Sequence, residues 1–210
     1  MGLKYLCNTW QGFLQQVVTL VGHGYHNYCL TVYPDSKQDR WLKIDDKLIK
    51  KYEADLGKDA RYRRQKKGLG NYIFLRRESM AVIFRSTGDY VQRNDTFVDI
   101  AESPLIIQVG DTLRLKIVPI GSRGHCTVYI EKQVLRDFKA ELFDHCRHRR
   151  VDILISRFQA LNGIPAYSGI TQQKSVLLSE ILKEAKKHGL QLKRSDFPIQ
   201  TRRKIYTVFE

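Results

Sequence analysis

The sequence predicts an α+β protein: a mixed domain over residues 1–132 with a largely antiparallel sheet, then a basic helical portion over 133–210. Three observations carry that reading. Residues 5–21 repeat apolar side chains at helical spacing. Residues 72–86 hold two strand-like runs with a turn between them. From Gln133 onward the apolar period becomes helical.

In the first segment Leu6, Trp10, Phe13, Leu14, Val17 and Val21 share one helical face, and Gly22 and Gly24 end the run. Residues 25–33 are rich in aromatic and β-branched side chains and stop at Pro34-Asp35, which predicts a strand. Residues 39–54 return to helical period through Trp41, Ile44, Leu48 and Tyr52. The clearest hairpin joins 72–77 to 80–86 at Glu78-Ser79, and its second strand is apolar on both faces, as an interior strand is. Strands are also predicted at 96–101, 104–109, 112–119 and 125–131, the last two joined by Gly121-Ser122-Arg123-Gly124. Short connections make this one mostly antiparallel sheet of about five or six strands.

Val134, Phe138, Leu142 and Cys146 mark the first C-terminal helix, and Val151, Leu154, Ile155, Phe158 and Leu161 the second. A third spans 172–188 and is capped by Gly189, with Lys186, Lys187 and His188 suited to its dipole. The remainder reads as a β-hairpin around Pro198. Three helices followed by a hairpin is the order of a winged helix. Gln172, Gln173, Lys174 and Ser175 would open its reading helix, and Arg202, Arg203 and Lys204 would lie on its wing. The competing reading is a helical cap whose basic residues face solvent.

Charge points to function more directly than any motif. The chain carries 36 Lys+Arg against 22 Asp+Glu, for a net charge of +14. Residues 1–56 are nearly neutral and 94–146 slightly acidic, so the excess lies in 57–93 and 147–210. Two basic regions around a neutral remainder can converge into one groove for a polyanion. The densest stretch is 57–77, a polycationic arm or short helix leading into a sheet. Its Lys58, Arg61, Arg63, Arg64, Lys66, Lys67, Arg76 and Arg77 are predicted to neutralise phosphates, with Tyr62 and Tyr72 available to stack on bases. Arg147, Arg149, Arg150, Lys174, Arg202, Arg203 and Lys204 form the second predicted cluster. The expected partner is DNA or RNA, with the chain as an accessory or regulatory factor in a nucleoprotein complex alongside protein subunits.

Other classes fit less well. No P-loop, GxGxxG or GxSxG motif is present, and no cofactor is expected. Gly68-Leu69-Gly70-Asn71 is too short for a phosphate loop, although its amides could touch a phosphate. His125, Cys126, His145, Cys146 and His148 lack zinc-site spacing and lie among arginines, so no metal is expected. His23 and His26 do not alternate on one strand as a paired-histidine nuclease requires. The enzymatic alternative is a metal-dependent nuclease or strand-transfer enzyme. It needs carboxylates among Asp45, Asp46, Glu53, Asp55, Asp95 and Asp99 to converge. No apolar stretch approaches the ~20 residues that span a bilayer, and the N-terminus has no signal-peptide pattern. Met1-Gly2 fails the myristoylation pattern, because Leu6 stands where Ser or Thr is wanted and Cys7 follows it. The four cysteines form no CxxC pair, consistent with reduced thiols in a cytoplasmic protein, or a nuclear one in a eukaryote.

Overall fold

The computed structural model describes residues 4–90, 95–121 and 125–209. The fold is α+β, with strands concentrated in the N-terminal half and helices in the C-terminal half. Two compact units make up the chain. The first comprises Met1–Leu105, Pro119–Cys126 and Tyr206–Glu210, and the second Ile106–Val118 and Thr127–Ile205.

In the first unit α1 (Trp10–Gly22) begins at Thr9, whose hydroxyl accepts from the Gly12 amide at 3.1 Å. The helix is therefore shorter than the apolar periodicity predicts. The residues before it run alongside the edge of a sheet, where Cys7 N–H donates to the Arg76 carbonyl and Arg76 N–H to the Tyr5 carbonyl. Extended backbone at Tyr5–Cys7 is held by these bonds, which a helical turn would forfeit.

The sheet is β1 (Asn27–Val32), β2 (Tyr72–Arg77), β3 (Met80–Arg85) and the short β4 (Val98–Asp99), in the order β2-β3-β1-β4. Its paired strands are antiparallel. Register sets Tyr72, Phe74 and Arg76 on one face with Ala81 and Ile83, where α2 (Trp41–Tyr52) packs through Trp41 and Tyr52. A 3-10 turn, Asp35–Arg40, leads into α2. After it comes α3 (Lys58–Lys66), which has no buried residue.

The second unit holds most of a separate sheet, together with a helical layer. Strands β5 (Ile106–Val109), β6 (Leu113–Ile120) and β7 (His125–Ile130) lie in that order, so the predicted single sheet is in fact two. Ser122, Arg123 and Gly124 of the predicted connection lie outside the described residues. Helices α4 (Lys132–Arg147), α5 (Val151–Ala160) and α6 (Ser168–Lys187) follow. Leu142, Leu154, Phe158, Leu178 and Ile181 are buried, with Phe197 edge-on to Phe158 at 5.3 Å.

Two features depart from the winged-helix expectation. Helix α6 starts four residues earlier than the periodicity suggests and is pressed onto β7. A Cβ at Gly169 would meet the Val128 carbonyl at 2.6 Å, and the Gln173 amide bonds both the N–H and the carbonyl of Ile130. Its opening turns are thus committed to the sheet. The expected terminal hairpin is also absent: among the described residues after α6 there is a 3-10 turn at Arg194–Asp196 and no strand. Pro198 supplies no amide donor for a ladder.

Candidate nucleic-acid interface

Helix α3 is exposed because its sequence, KDARYRRQK, offers no apolar stripe to bury. What fixes it in place is its C-terminal exit. Gly68 adopts a left-handed φ of 76°, Gly68 N–H donates to the Gln65 carbonyl and Leu69 N–H to the Arg64 carbonyl. The chain then crosses the loop after β3. Gly70 N–H donates to Asp89 O, Asp89 N–H to Gly68 O, and Asn71 N–H to Ser86 Oγ. A Cβ at Gly88 would lie 2.7 Å from Gly68 O, so this crossing requires glycine. The buried Asn71 side chain donates to the Arg61 carbonyl at 3.0 Å, tying the middle of α3 to the sheet. All four amides of Gly68–Asn71 are thereby used, which removes them as phosphate donors. Sequence reading takes Asn71 only for its amide and passes over Gly88; Gly-Asn before one strand pattern and Ser-Thr-Gly after the next were the available signal.

The predicted cations divide by what they touch. Lys58, Arg63, Lys66 and Lys67 are exposed and have no carboxylate partner among the described residues. Lys58, Tyr62 and Lys66 recur every four residues on one face of α3, and Asp59, Arg63 and Lys67 on another. Tyr62 is 57% exposed, with the Lys66 ammonium 5.0 Å from its ring centre. Arg61 and Arg64 are half-buried and already engaged. Arg61 donates to the Leu56 carbonyl, and Arg64 pairs with Glu53 at 2.6 Å while reaching the Gly70 carbonyl.

Three expected contacts move into the interior. Tyr72 is 6% exposed and packs at a tilt against the rings of Tyr52 and Phe97. Arg76 is 5% exposed, and its Nε donates to both oxygens of fully buried Asp45, at 3.0 and 2.8 Å. It also donates to the Glu78 carbonyl and lies over the Trp41 ring. Tyr33 donates to the same carboxylate. Desolvation pushes the Asp45 carboxyl upward against the opposing hydrogen bonds and charge of Arg76. Lys174 is 1% exposed, with Asn162 Oδ1 at 3.5 Å, and desolvation pulls its ammonium down to about 8. Arg77, by contrast, is half-buried and pairs with Glu78.

In the second unit the remaining cations separate. Arg149 holds a left-handed φ of 53° after α4, and its guanidinium approaches Gly189, just beyond α6. Arg147, Arg149 and Arg150 thus gather with Lys186 and Lys187 at the end where α4 and α6 terminate, and these five cations are exposed. The sequence pattern suits Lys186 and Lys187 to the helix dipole and does not by itself place them beside Arg149. Arg203 instead lies over the ring of Tyr167, which precedes α6, and Gln200 N–H donates to Asn162. A 20-residue α6 is about 30 Å long, so Arg203 and Arg149 mark opposite ends of it and make no single cluster.

Among the described residues, carboxylates and histidines do not assemble. Asp45 serves Arg76, Glu53 pairs with Arg64, Asp95 accepts from Lys51 and Tyr52, and Asp99 caps the Ala101 amide. His145 faces Glu141, and His148 faces Asp144. Among the described residues no group of three or more His, Cys, Asp or Glu converges at metal-binding distance, and no helix is long and apolar enough to cross a membrane. No family model matches the chain, and neither a curated protein nor a solved structure matches it.

Proposed function

We propose that the chain binds the phosphate backbone of DNA or RNA, with α3 as its principal grip, as an accessory factor in a nucleoprotein complex. One observation carries this reading: α3 projects Lys58, Arg63, Lys66 and Lys67 without carboxylate partners among the described residues, on a helix anchored by Asn71 and the Gly68–Gly88 crossing. Exposed cations without a carboxylate partner are available to displace counterions from a polyanion. Tyr62, exposed between them, offers a stacking face to an unpaired base. Arg147, Arg149 and Arg150, with Lys186 and Lys187, supply a second basic surface in the other unit. The nuclease alternative finds no carboxylate cluster among the described residues to support it.

The test is a titration with single-stranded DNA, duplex DNA and structured RNA between 50 and 200 mM salt, with strand integrity followed on a denaturing gel. Four phosphate contacts lower affinity roughly a hundredfold over that range. Replacing Lys58, Arg63, Lys66 and Lys67 together by Gln removes most of this salt dependence while leaving the folded chain intact, since none of the four is buried. Affinity that is flat in salt, or unmoved in the quadruple variant, overturns the proposal.

A further inference from the structure

A cavity of about 690 Å³ opens in the first unit beside Gly57, where α3 begins, and falls within the ~300–1,000 Å³ range of small-ligand sites. Its charged lining is Lys4, Lys58 and Arg61 against a single carboxylate, Asp55. Lys58 and Arg61 come from successive turns of α3, and Lys4 arrives from the segment leading to the edge of β2. Tyr5 and Phe209, both half-buried, also line the cavity and give it aromatic surface. Cationic and aromatic walls within one small cavity match the two halves of a nucleotide.

The charge count narrows the class further. Three cations and one carboxylate leave a local excess of two positive charges, which matches a phosphate monoester rather than the singly charged diester of an internal linkage. A monoester carries about −1.5 to −2 at neutral pH. From the cavity, the exposed stripe of Lys58, Tyr62 and Lys66 continues along α3, so a strand on that helix has a phosphate path leading to the cavity.

We infer that this cavity binds a nucleotide bearing a phosphate monoester, held by Lys4, Lys58 and Arg61 with its base against Tyr5 and Phe209. In its strand-end form the inference rests on α3 being the backbone grip, and it makes the chain a reader of phosphorylated ends. The same chemistry is offered by a free mononucleotide, and the test separates the two sources.

Fluorescence anisotropy with internally labelled twelve-nucleotide single strands compares 5′-phosphate, 3′-phosphate and hydroxyl-ended versions on the full chain. Adenosine monophosphate serves as competitor and, separately, as ligand by calorimetry. The expected result is binding about tenfold tighter for one phosphorylated end, with the ratio falling to near one in Lys4→Gln. A phosphorylated strand displaced by the mononucleotide identifies the free nucleotide as a ligand; an undisplaced one identifies the strand end. Equal binding of phosphate- and hydroxyl-ended strands, together with no mononucleotide binding, overturns the inference and leaves α3 as a backbone grip. An end preference that survives Lys4→Gln also overturns it. Mononucleotide binding that depends on Lys4 without any strand binding removes the α3 reading and keeps the cavity.

Discussion

Helix α3 and strand β2 share one basic run in the sequence, yet their cations meet opposite fates. On α3, Lys58, Arg63, Lys66 and Lys67 face water, because a helix with no apolar stripe has no face to bury. On β2, only a few residues on, the two-residue period of a strand alternates the faces. Arg76 falls beneath α2 beside Phe74, where Asp45 has been buried to receive it. Charge density in sequence therefore counts cations without saying which are free. The period of the element carrying them decides that.

The comparison is tested most severely at Asp45. Asp45→Ala leaves the Arg76 guanidinium buried without its carboxylate, at an expected cost of about 3–5 kcal/mol. Urea denaturation of the variant measures it, and affinity per folded molecule for nucleic acid is expected to stay unchanged because Arg76 is not on the exposed surface. A loss under about 1 kcal/mol would show that α2 is not locked to β2 through this pair. The upward push on the Asp45 carboxyl marks the other side of the balance: desolvation costs the buried pair part of what its hydrogen bonds and charge contribute.

Lys174 sharpens the contrast, being a buried cation with an amide oxygen as its near neighbour and no carboxylate partner among the described residues. Its ammonium is pulled down to about 8 in the folded chain from an ordinary value of 10.5. Between those values the unfolded chain binds more protons than the folded one, so this residue's unfavourable contribution is full below pH 8 and fades as pH rises to 10.5. Lys174→Met is expected to raise stability by roughly 1–3 kcal/mol at pH 7, with the advantage shrinking towards pH 10. The difference between the two proteins' unfolding curves is the quantity to follow. Cys146, in the same unit and raised to about 11 by burial, titrates in both proteins and cancels. An advantage independent of pH would mean that Lys174 binds its proton equally in the folded and unfolded chains, so that burial does not pull its ammonium down.

These fates explain what the sequence could and could not convey. The hairpin of β2 and β3 was legible because apolar runs flank a two-residue turn, and α1, α2 and α4 to α6 were legible from period alone. The start of α1 was not, since the bonds of Tyr5–Cys7 to β2 lie some seventy residues away in sequence. The division into two sheets was hidden for a related reason: strand patterns predict strands but not partners, and β5 to β7 read the same in one sheet as in two. Of the interface, exposed α3 was legible in charge, whereas Arg76 and Lys174 required knowledge of the faces opposite them.

Tyr62 tests the exposed side of the comparison with the smallest effect. Tyr62 is 57% exposed and flanked by Lys58 and Lys66 on one helical face, so removing it leaves the buried core untouched. Tyr62→Ala is expected to weaken single-stranded DNA by about 1 kcal/mol, near a fivefold rise in Kd, while leaving duplex affinity and salt slope as they were. Paired bases present no open face to the ring, whereas phosphates serve both polymers equally. An equal loss on both would make Tyr62 a spacer for the cations around it, and α3 would then read charge alone.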